Sequence, residues 1–378
     1  MQPVFLDHHS TTPTDARVLT EMLPWFTAQF GNPHSVDHEW GWRAEEAVEK
    51  GRRQVAALVG AEPADLIFTA GATEANNLAL FGLAADLRAR GLTHIVTSPL
   101  EHPSVSAPLA ELVRTGFTVT EVPVEASGVI DPAAVEGLLT SETGLVSIIA
   151  ANHEIGTVQP IAEIGALCRS HDILFHSDGT QAFGKIPVAA TADLMSLSAH
   201  KLYGPKGIGA LVARPAARRR LKPHILGGGQ QGGLRSGTVP VPLVVGFGLA
   251  AELARAAMAE ERPRLAELRG RLLAGLDAAR LDYTLNGDPV RRLPGNLSLR
   301  FFGIDAESLI ARLRNRLAIS AGSACASAER IPSRTLLAIG LDTEAALASV
   351  RIGLGRGTDA AAIDVAIAAL TEASTGSW

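Results

Sequence analysis

Between Asp65 and Val212 seven short apolar runs alternate with amphipathic stretches, and this alternation constrains the fold more than any other feature of the chain. The runs are LIFT (66–69), HIVTS (94–98), FTVTEV (117–122), LVSIIAA (145–151), DILFHSD (172–178), DLMSLS (193–198) and GIGALVA (207–213). Each has the length of a strand, and together they read as strands. Segments between several of them, such as EANNLALFGLAADLRA and IAEIGALCRS, carry apolar residues at helical spacing. Strand and helix in turn predict an α/β domain whose largely parallel, seven-stranded sheet is covered by helices on its faces. Ligands of such sheets bind beyond the carboxyl ends of the strands, so the residues just after each run are the ones to inspect.

After Val239 the pattern changes to a long helical stretch, residues 244–280. Two further strands, GNLSLRF and ASVRIGL, and two helices, AESLIARLRNR and AAIDVAIAALTEA, follow it. A smaller α+β domain is expected there, and 378 residues suffice for two domains at roughly 100 to 200 residues each. The division expected is residues 15–255 for the large domain, with 1–14 and 256–378 forming the small one. Disorder is expected only in the terminal ASTGSW. The formal net charge of −5 gives no basic footprint for nucleic acid. The one basic cluster, Arg218, Arg219, Arg220 and Lys222, reads as a solvated helix end. The N-terminal MQPVFLDHHSTTP has no secretory pattern, and the apolar run from Val239 to Ala251 is too short for a bilayer, which predicts a cytoplasmic protein. Two cysteines exclude a disulfide framework or a cysteine-rich metal site. Cys168 has core spacing with Ile164 and Leu167, whereas Cys325 stands alone among small residues in ISAGSACASAER.

Three strand ends carry chemistry. In LIFTAGATEANN, Gly71 turns the chain and Ala72 and Thr73 open a helix, which makes either a seat for a phosphate or carboxylate or an ordinary capped helix start. In DILFHSDGTQAFGK a buried strand delivers Asp178 and, beyond it, Gln181. A carboxylate there needs a cation or hydrogen-bond donors, or else Asp178 only shapes the turn before Gly179. In DLMSLSAHKLYGPKG a strand ends at Ser198, followed by His200 and Lys201, a lysine placed to form a Schiff base if its surroundings lower its pKa. Each signal alone has a bland reading. Together they describe a phosphate-bearing aldehyde with a protonatable ring nitrogen, the requirements of pyridoxal 5'-phosphate.

Over essentially its whole length the chain resembles the cysteine desulfurases, the NifS/IscS-like branch of fold-type I pyridoxal phosphate enzymes. The segments FLDHHSTTP, GNPHSVDHEWGW, TAGATEANN, EHPSV, NHEIGTVQPI, HSDGTQAFGK, SAHKLYGPKG, GGGQQGGLRSGT, SAGSACAS and VRIGLGR follow the order of that family. The resemblance implies that Lys201 carries the cofactor, Asp178 faces its ring nitrogen, Gln181 its ring hydroxyl and His102 its ring face. It implies phosphate contacts from Ala72, Thr73, Ser198 and His200, and one from Thr238 to the partner subunit's cofactor in a homodimer. Asn152 and Arg351 match ligands of the substrate carboxylate, and Cys325 matches the sulfur-accepting nucleophile, catalytic together with Lys201 and His102. The chain departs from the pattern at His153, where Asn is usual, and at Gln231 and Gly232, where a Glu-Arg pair is usual.

The expected activity is therefore conversion of L-cysteine to L-alanine with a persulfide on Cys325. The long form of the cysteine loop implies delivery to a sulfur-acceptor protein of iron-sulfur assembly, tRNA thiolation or DNA sulfur modification. A selenocysteine lyase or an aminotransferase on the same fold shares the cofactor residues, but transamination needs no thiol. A non-catalytic binding scaffold is the third reading, and it predicts damage to Lys201, Asp178 or His102, all of which are present.

Overall fold

The computed structural model describes residues 3–188, 191–321 and 331–375. After a two-residue strand, β1 (Val4–Phe5), come β2 (Leu66–Thr69), β3 (His94–Thr97), β4 (Thr118–Glu121), β5 (Thr143–Ser147), β6 (Leu174–Asp178), β7 (Leu194–Ser198) and β8 (Gly209–Ala213). All seven predicted strands enter one sheet of order β2-β8-β7-β6-β5-β3-β4. Six of the seven are buried along their whole length, as strands covered by helices on both faces must be. The exception is the edge strand β4, whose Thr118 and Glu121 meet solvent.

The strand β8 runs antiparallel to both neighbours, while the other pairings are parallel. The link from β7 to β8 explains this, because residues 199–208 are too few for a helical crossover and suffice for a hairpin-like return. That same short link carries His200 and Lys201, so the return of the sheet on itself holds both at the carboxyl end of β7.

A second, four-stranded sheet of order β12-β13-β10-β9 contains β9 (Tyr283–Leu285), β10 (Asn296–Phe301), β12 (Ser320–Ala321) and β13 (Ser349–Gly353). The strand β11 (Leu317–Ala318) pairs in parallel with β1. The predicted helices form at Ala306–Leu313 and Ala360–Thr375. One apolar core lies around this sheet and includes Leu6, Leu297, Ile352 and Leu370, and others lie on the two faces of the large sheet.

The helix Val241–Ala278 joins the two regions. Val244, Phe247, Ala251 and Ala254 pack into the large core, Leu265, Leu268, Leu272 and Leu276 into the small one, and Pro263 lies between the stretches. By length and composition alone this helix could cross a membrane, but half of its apolar window is buried inside the protein. We propose the domain division within it, between Ala254 and Leu265, with the segment around Leu6 belonging to the smaller core.

Two expectations are corrected. Arg218 and Arg220 are not a solvated helix end: both are half-buried, and Arg220 Nε lies 2.5 Å from Asp86 Oδ2 in an ion pair between distant segments. Ala373, expected to begin a disordered tail, is fully buried in the last helix, which continues to Thr375, while residues 376–378 lie outside the described residues. Cys168 is in the large core as its spacing predicts, and burial pushes its thiol up to about 12. At pH 8 native Cys168 should therefore alkylate with iodoacetamide roughly a thousandfold more slowly than in denaturant, since only the thiolate reacts. Peptide mass spectrometry checks this, and comparable rates in the two states would contradict the packing.

Candidate active site

A cavity of about 1150 Å³ opens at the carboxyl ends of β2, β6 and β7. Of the residues singled out from the sequence, Ala72, Thr73, His102, Asp178, Gln181, Ser198, His200, Lys201 and Arg351 all line it. They come from segments as far apart as the start of the second long helix and the middle of β13. Cys325 lies outside the described residues.

Lys201 closes the single helical turn Ala199–Lys201 after β7, and its Nζ donates to the carbonyls of His9 (2.6 Å) and Ser10 (2.7 Å). Burial, with the Arg351 charge assisting, lowers this amine to about 8. The neutral form is thus within reach near neutral pH, as amine chemistry on a carbonyl requires. Asp178 ends β6 almost fully buried. Its Oδ1 accepts from Thr180 N (2.9 Å) and its Oδ2 from Asn76 Nδ2 (2.8 Å), so the carboxylate has donors and does more than shape a turn. Gln181 Nε2 donates to His9 O (2.8 Å), and its Oε1 accepts from Lys185 Nζ (2.7 Å). Burial lowers Lys185 to about 7.

The helix Ala72–Ala89 has Gly71 as its N-cap and no side-chain cap, which leaves first-turn amides and the positive helix end turned to the cavity. A Cβ built on Gly71 would meet nothing within 4 Å, so an open cradle stands at this helix start. Thr73 is exposed and does not cap the helix, while Glu74 reaches back to accept from Ala70 N (2.7 Å) and pairs with Arg235 (2.9 Å). Of the two readings of this segment, the anion seat is the one with free geometry. Ser198, His200 and Lys206 line the same cavity. His200 Nδ1 lies 3.0 Å from Thr11 Oγ1, and burial beside Lys201 lowers the imidazole to about 4.

His102 caps the helix Pro103–Arg114: its Nδ1 accepts from Ser104 N (3.1 Å) and lies 2.8 Å from Ser104 Oγ. Burial lowers its pKa as well. His153 meets His102 edge to face with ring centroids 5.3 Å apart. Arg351 is largely buried in β13, where Nη2 donates to Asp7 Oδ1 (2.9 Å) and Nη1 to His153 O (3.4 Å), while Nε is buried without a partner among the described residues.

Two expected residues are placed elsewhere. Asn152 is fully buried behind the cavity wall, with Nδ2 donating to Leu100 O (2.9 Å) and Thr335 Oγ1 (3.4 Å) and Oδ1 accepting from the amides of Glu154 and Ile155. Thr238 is exposed and does not line the cavity.

Sequence reasoning missed His9, Asn76, Lys185, Glu101 and Glu154. The two glutamates sit in or beside the cavity wall, and burial raises Glu101 to about 8 and Glu154 to about 7. Nothing local marks them, because their environments are built by segments distant in sequence. Asn76 had the best signal, a polar residue one helical turn beyond Thr73 on an otherwise apolar face.

An amine of lowered pKa, a hydrogen-bonded carboxylate and an open helix N-terminus around one cavity fit pyridoxal phosphate, whose aldehyde, ring nitrogen and phosphate need those three groups. The class-V aminotransferase family model matches residues 4–365. A mitochondrial cysteine desulfurase of Arthroderma benhamiae is 48% identical over 379 residues, covering 99% of this chain and 75% of that protein. A solved NifS-like protein superposes with a TM-score of 0.91 at 34% identity over 98% of this chain and 99% of its own. A structure of SspA in complex with cysteine gives 0.80 at 36% over 94% and 99%. With the family model spanning nearly the whole chain and relatives this close, the protein belongs to the cysteine desulfurases, enzymes of the pyridoxal-phosphate-dependent class-V aminotransferase family.

Proposed function

We propose that this cysteine desulfurase holds pyridoxal phosphate on Lys201 and uses it to convert L-cysteine to L-alanine while Cys325 takes the sulfur. The convergence of Lys201, Asp178 and the Gly71–Thr73 helix start on one cavity carries the reading. When bound, the cofactor supplies an electron sink for the substrate's α-carbon.

The chain's own groups do the rest. Lys201, near pKa 8, takes and returns a proton at the α-carbon. Asp178, its position fixed by Thr180 N and Asn76, would keep the ring nitrogen protonated. Gln181 would meet the ring hydroxyl, and the amides of Ala72 and Thr73, with Ser198 and His200, would hold the phosphate. His102 would lie against the ring. Arg351, with its unpartnered Nε, is the cation for the substrate carboxylate. Asn152 acts on the substrate only indirectly, by shaping the loop that carries His153 and Glu154.

The Cys325 thiolate attacks the substrate sulfur, the carbon-sulfur bond breaks with its electron pair passing to carbon, and a proton there completes alanine. Atoms balance as L-cysteine plus Cys325 thiol giving L-alanine plus Cys325 persulfide. Both described flanks of the cysteine segment support its reaching the site: Ser320 pairs with Arg351 in the small sheet, and Ile331 lines the cavity. The cysteine bound to the related SspA supports the substrate.

A homodimer and a sulfur-acceptor protein complete the proposal. Phe26, Phe30, Val36, Trp40 and Trp42 are exposed large apolar side chains clustered in one short segment, a surface a second copy would cover, and Thr238 is exposed for the same role. The long sequence around Cys325 suits delivery of the persulfide to another protein.

Three measurements test this. Cys325→Ser should remain yellow, absorbing at about 400–420 nm, yet release no alanine from L-cysteine; release of alanine at the parental rate would leave a lyase reading instead. Lys201→Ala should lose the borohydride-reducible adduct. Asp178→Asn should lower turnover at least about a hundredfold, the scale of removing one preorganised electrostatic group, with cofactor still bound.

A further inference from the structure

Asn76 is fully buried, and its single amide nitrogen makes two contacts of 2.8 Å, to Asp178 Oδ2 and to Ser104 Oγ. Its Oδ1 is buried with no partner among the described residues. Turning the amide over would set that oxygen against the Asp178 carboxylate, so Asp178 imposes the orientation even though one acceptor stays unsatisfied. Both amide hydrogens are then committed, one to Asp178 and one to Ser104.

The consequence passes along the network. Ser104 Oγ accepts from Asn76, so its own hydrogen must go elsewhere, and the acceptor in reach is His102 Nδ1 at 2.8 Å. That nitrogen also accepts from Ser104 N at 3.1 Å. With two donors aimed at it, Nδ1 has no room for a proton, and the neutral ring carries its hydrogen on Nε2, the nitrogen on the far edge from the cap.

We propose that Asn76 and Ser104 are positioning residues that transmit the charge of Asp178 to His102, fixing its proton on Nε2 so that the ring presents an N–H donor away from the helix cap. The tautomer follows from the protein's own hydrogen bonds. Its use in turnover rests on the cofactor site proposed above. Sequence spacing could not show this link, since residues 76, 102–104 and 178 come from two helix starts and a strand end.

Other groups facing the ring are Lys201 after β7, which opposes its protonation, and His153 edge-on after β5, while Glu101, beside it in the chain, turns its Oε1 to Ser98 and the amide of Ile149. Asp178 acts on it directly by favouring its protonation. Because that direct effect runs against the one transmitted through Ser104, the test is a double-mutant cycle.

Nitrogen NMR of holoenzyme with ring-labelled histidine, assigned with His102→Gln, reads tautomer and titration without turnover. The parent should show a pyridine-type Nδ1 and a protonated Nε2. Ser104→Ala should raise the His102 pKa by about half to one unit, the scale of one lost hydrogen bond, whereas Ser104→Thr, which keeps the hydroxyl, should match the parent. In an Asp178→Asn background the same Ser104→Ala change should move it by less than half as much, because nothing then orients the hydroxyl. Asn76→Ala should titrate like Ser104→Ala, and if it does not fold the cycle stands without it. Equal shifts in both backgrounds, or a proton on Nδ1 in the parent, would overturn the proposal while leaving the desulfurase reading intact. A normal cycle in an enzyme that lacks the borohydride-reducible lysine adduct would do the opposite.

Discussion

The ion pair between Asp7 and Arg351 is the interaction on which the arrangement most depends. Arg351 sits in β13, an inner strand of the small sheet, Asp7 two residues beyond β1, and both side chains are largely covered, at 5% and 14% exposure. Asp7 also accepts from Ser320 (2.7 Å). From this anchor the chain continues directly into the site: the carbonyls of residues 9 and 10 receive Lys201, Thr11 meets His200, and Thr12 bonds to the backbone at 200 and 203. One N-terminal segment, turning at residues 8–10, thus ties the small core to the loop that bears the lysine. A buried pair of this kind adds little net stability over an apolar substitute, but removing one partner leaves an uncompensated charge, about 3–5 kcal/mol destabilising.

Burial acts on the cavity's titratable groups in a single direction. The imidazoles of His9, His102, His153 and His200 are all pushed toward neutrality, the amines of Lys185 and Lys201 are lowered, and the carboxyls of Glu101 and Glu154 are raised. Each shift has desolvation as its largest cause. The result is a site whose imidazoles are neutral, while Lys185, Lys201, Glu101 and Glu154 are brought toward neutral pH, around a carboxylate whose two oxygens are both held by donors.

How much of this was legible in the sequence follows from what each feature requires. Six strands of the large sheet were legible because burial on both faces writes continuous apolar runs, the edge strand β4 because of its β-branched residues, and the residues at the strand ends because the strands themselves place them. The direction of β8 was not anticipated, although the ten residues linking it to β7 were in plain view. Asn152 was assigned to the substrate by resemblance, yet all its hydrogen-bonding capacity is used by Leu100, Thr335 and its own loop. Arg220 looked like a surface cation because Asp86, its partner, is 134 residues away. Asn76, Lys185 and Glu101 acquire their character only from segments that fold over them.

The helix Val241–Ala278 has 38 residues, which at 1.5 Å of rise per residue makes a rod of about 57 Å. It is sunk at one end into the large core and at the other into the small one. Swinging the two sheets apart would require bending this beam or tearing one row of leucines from its bed, and either motion disrupts packing far from the chemistry. Access to the cavity therefore falls to the segments at its rim, and the two sheets serve as a fixed frame around it.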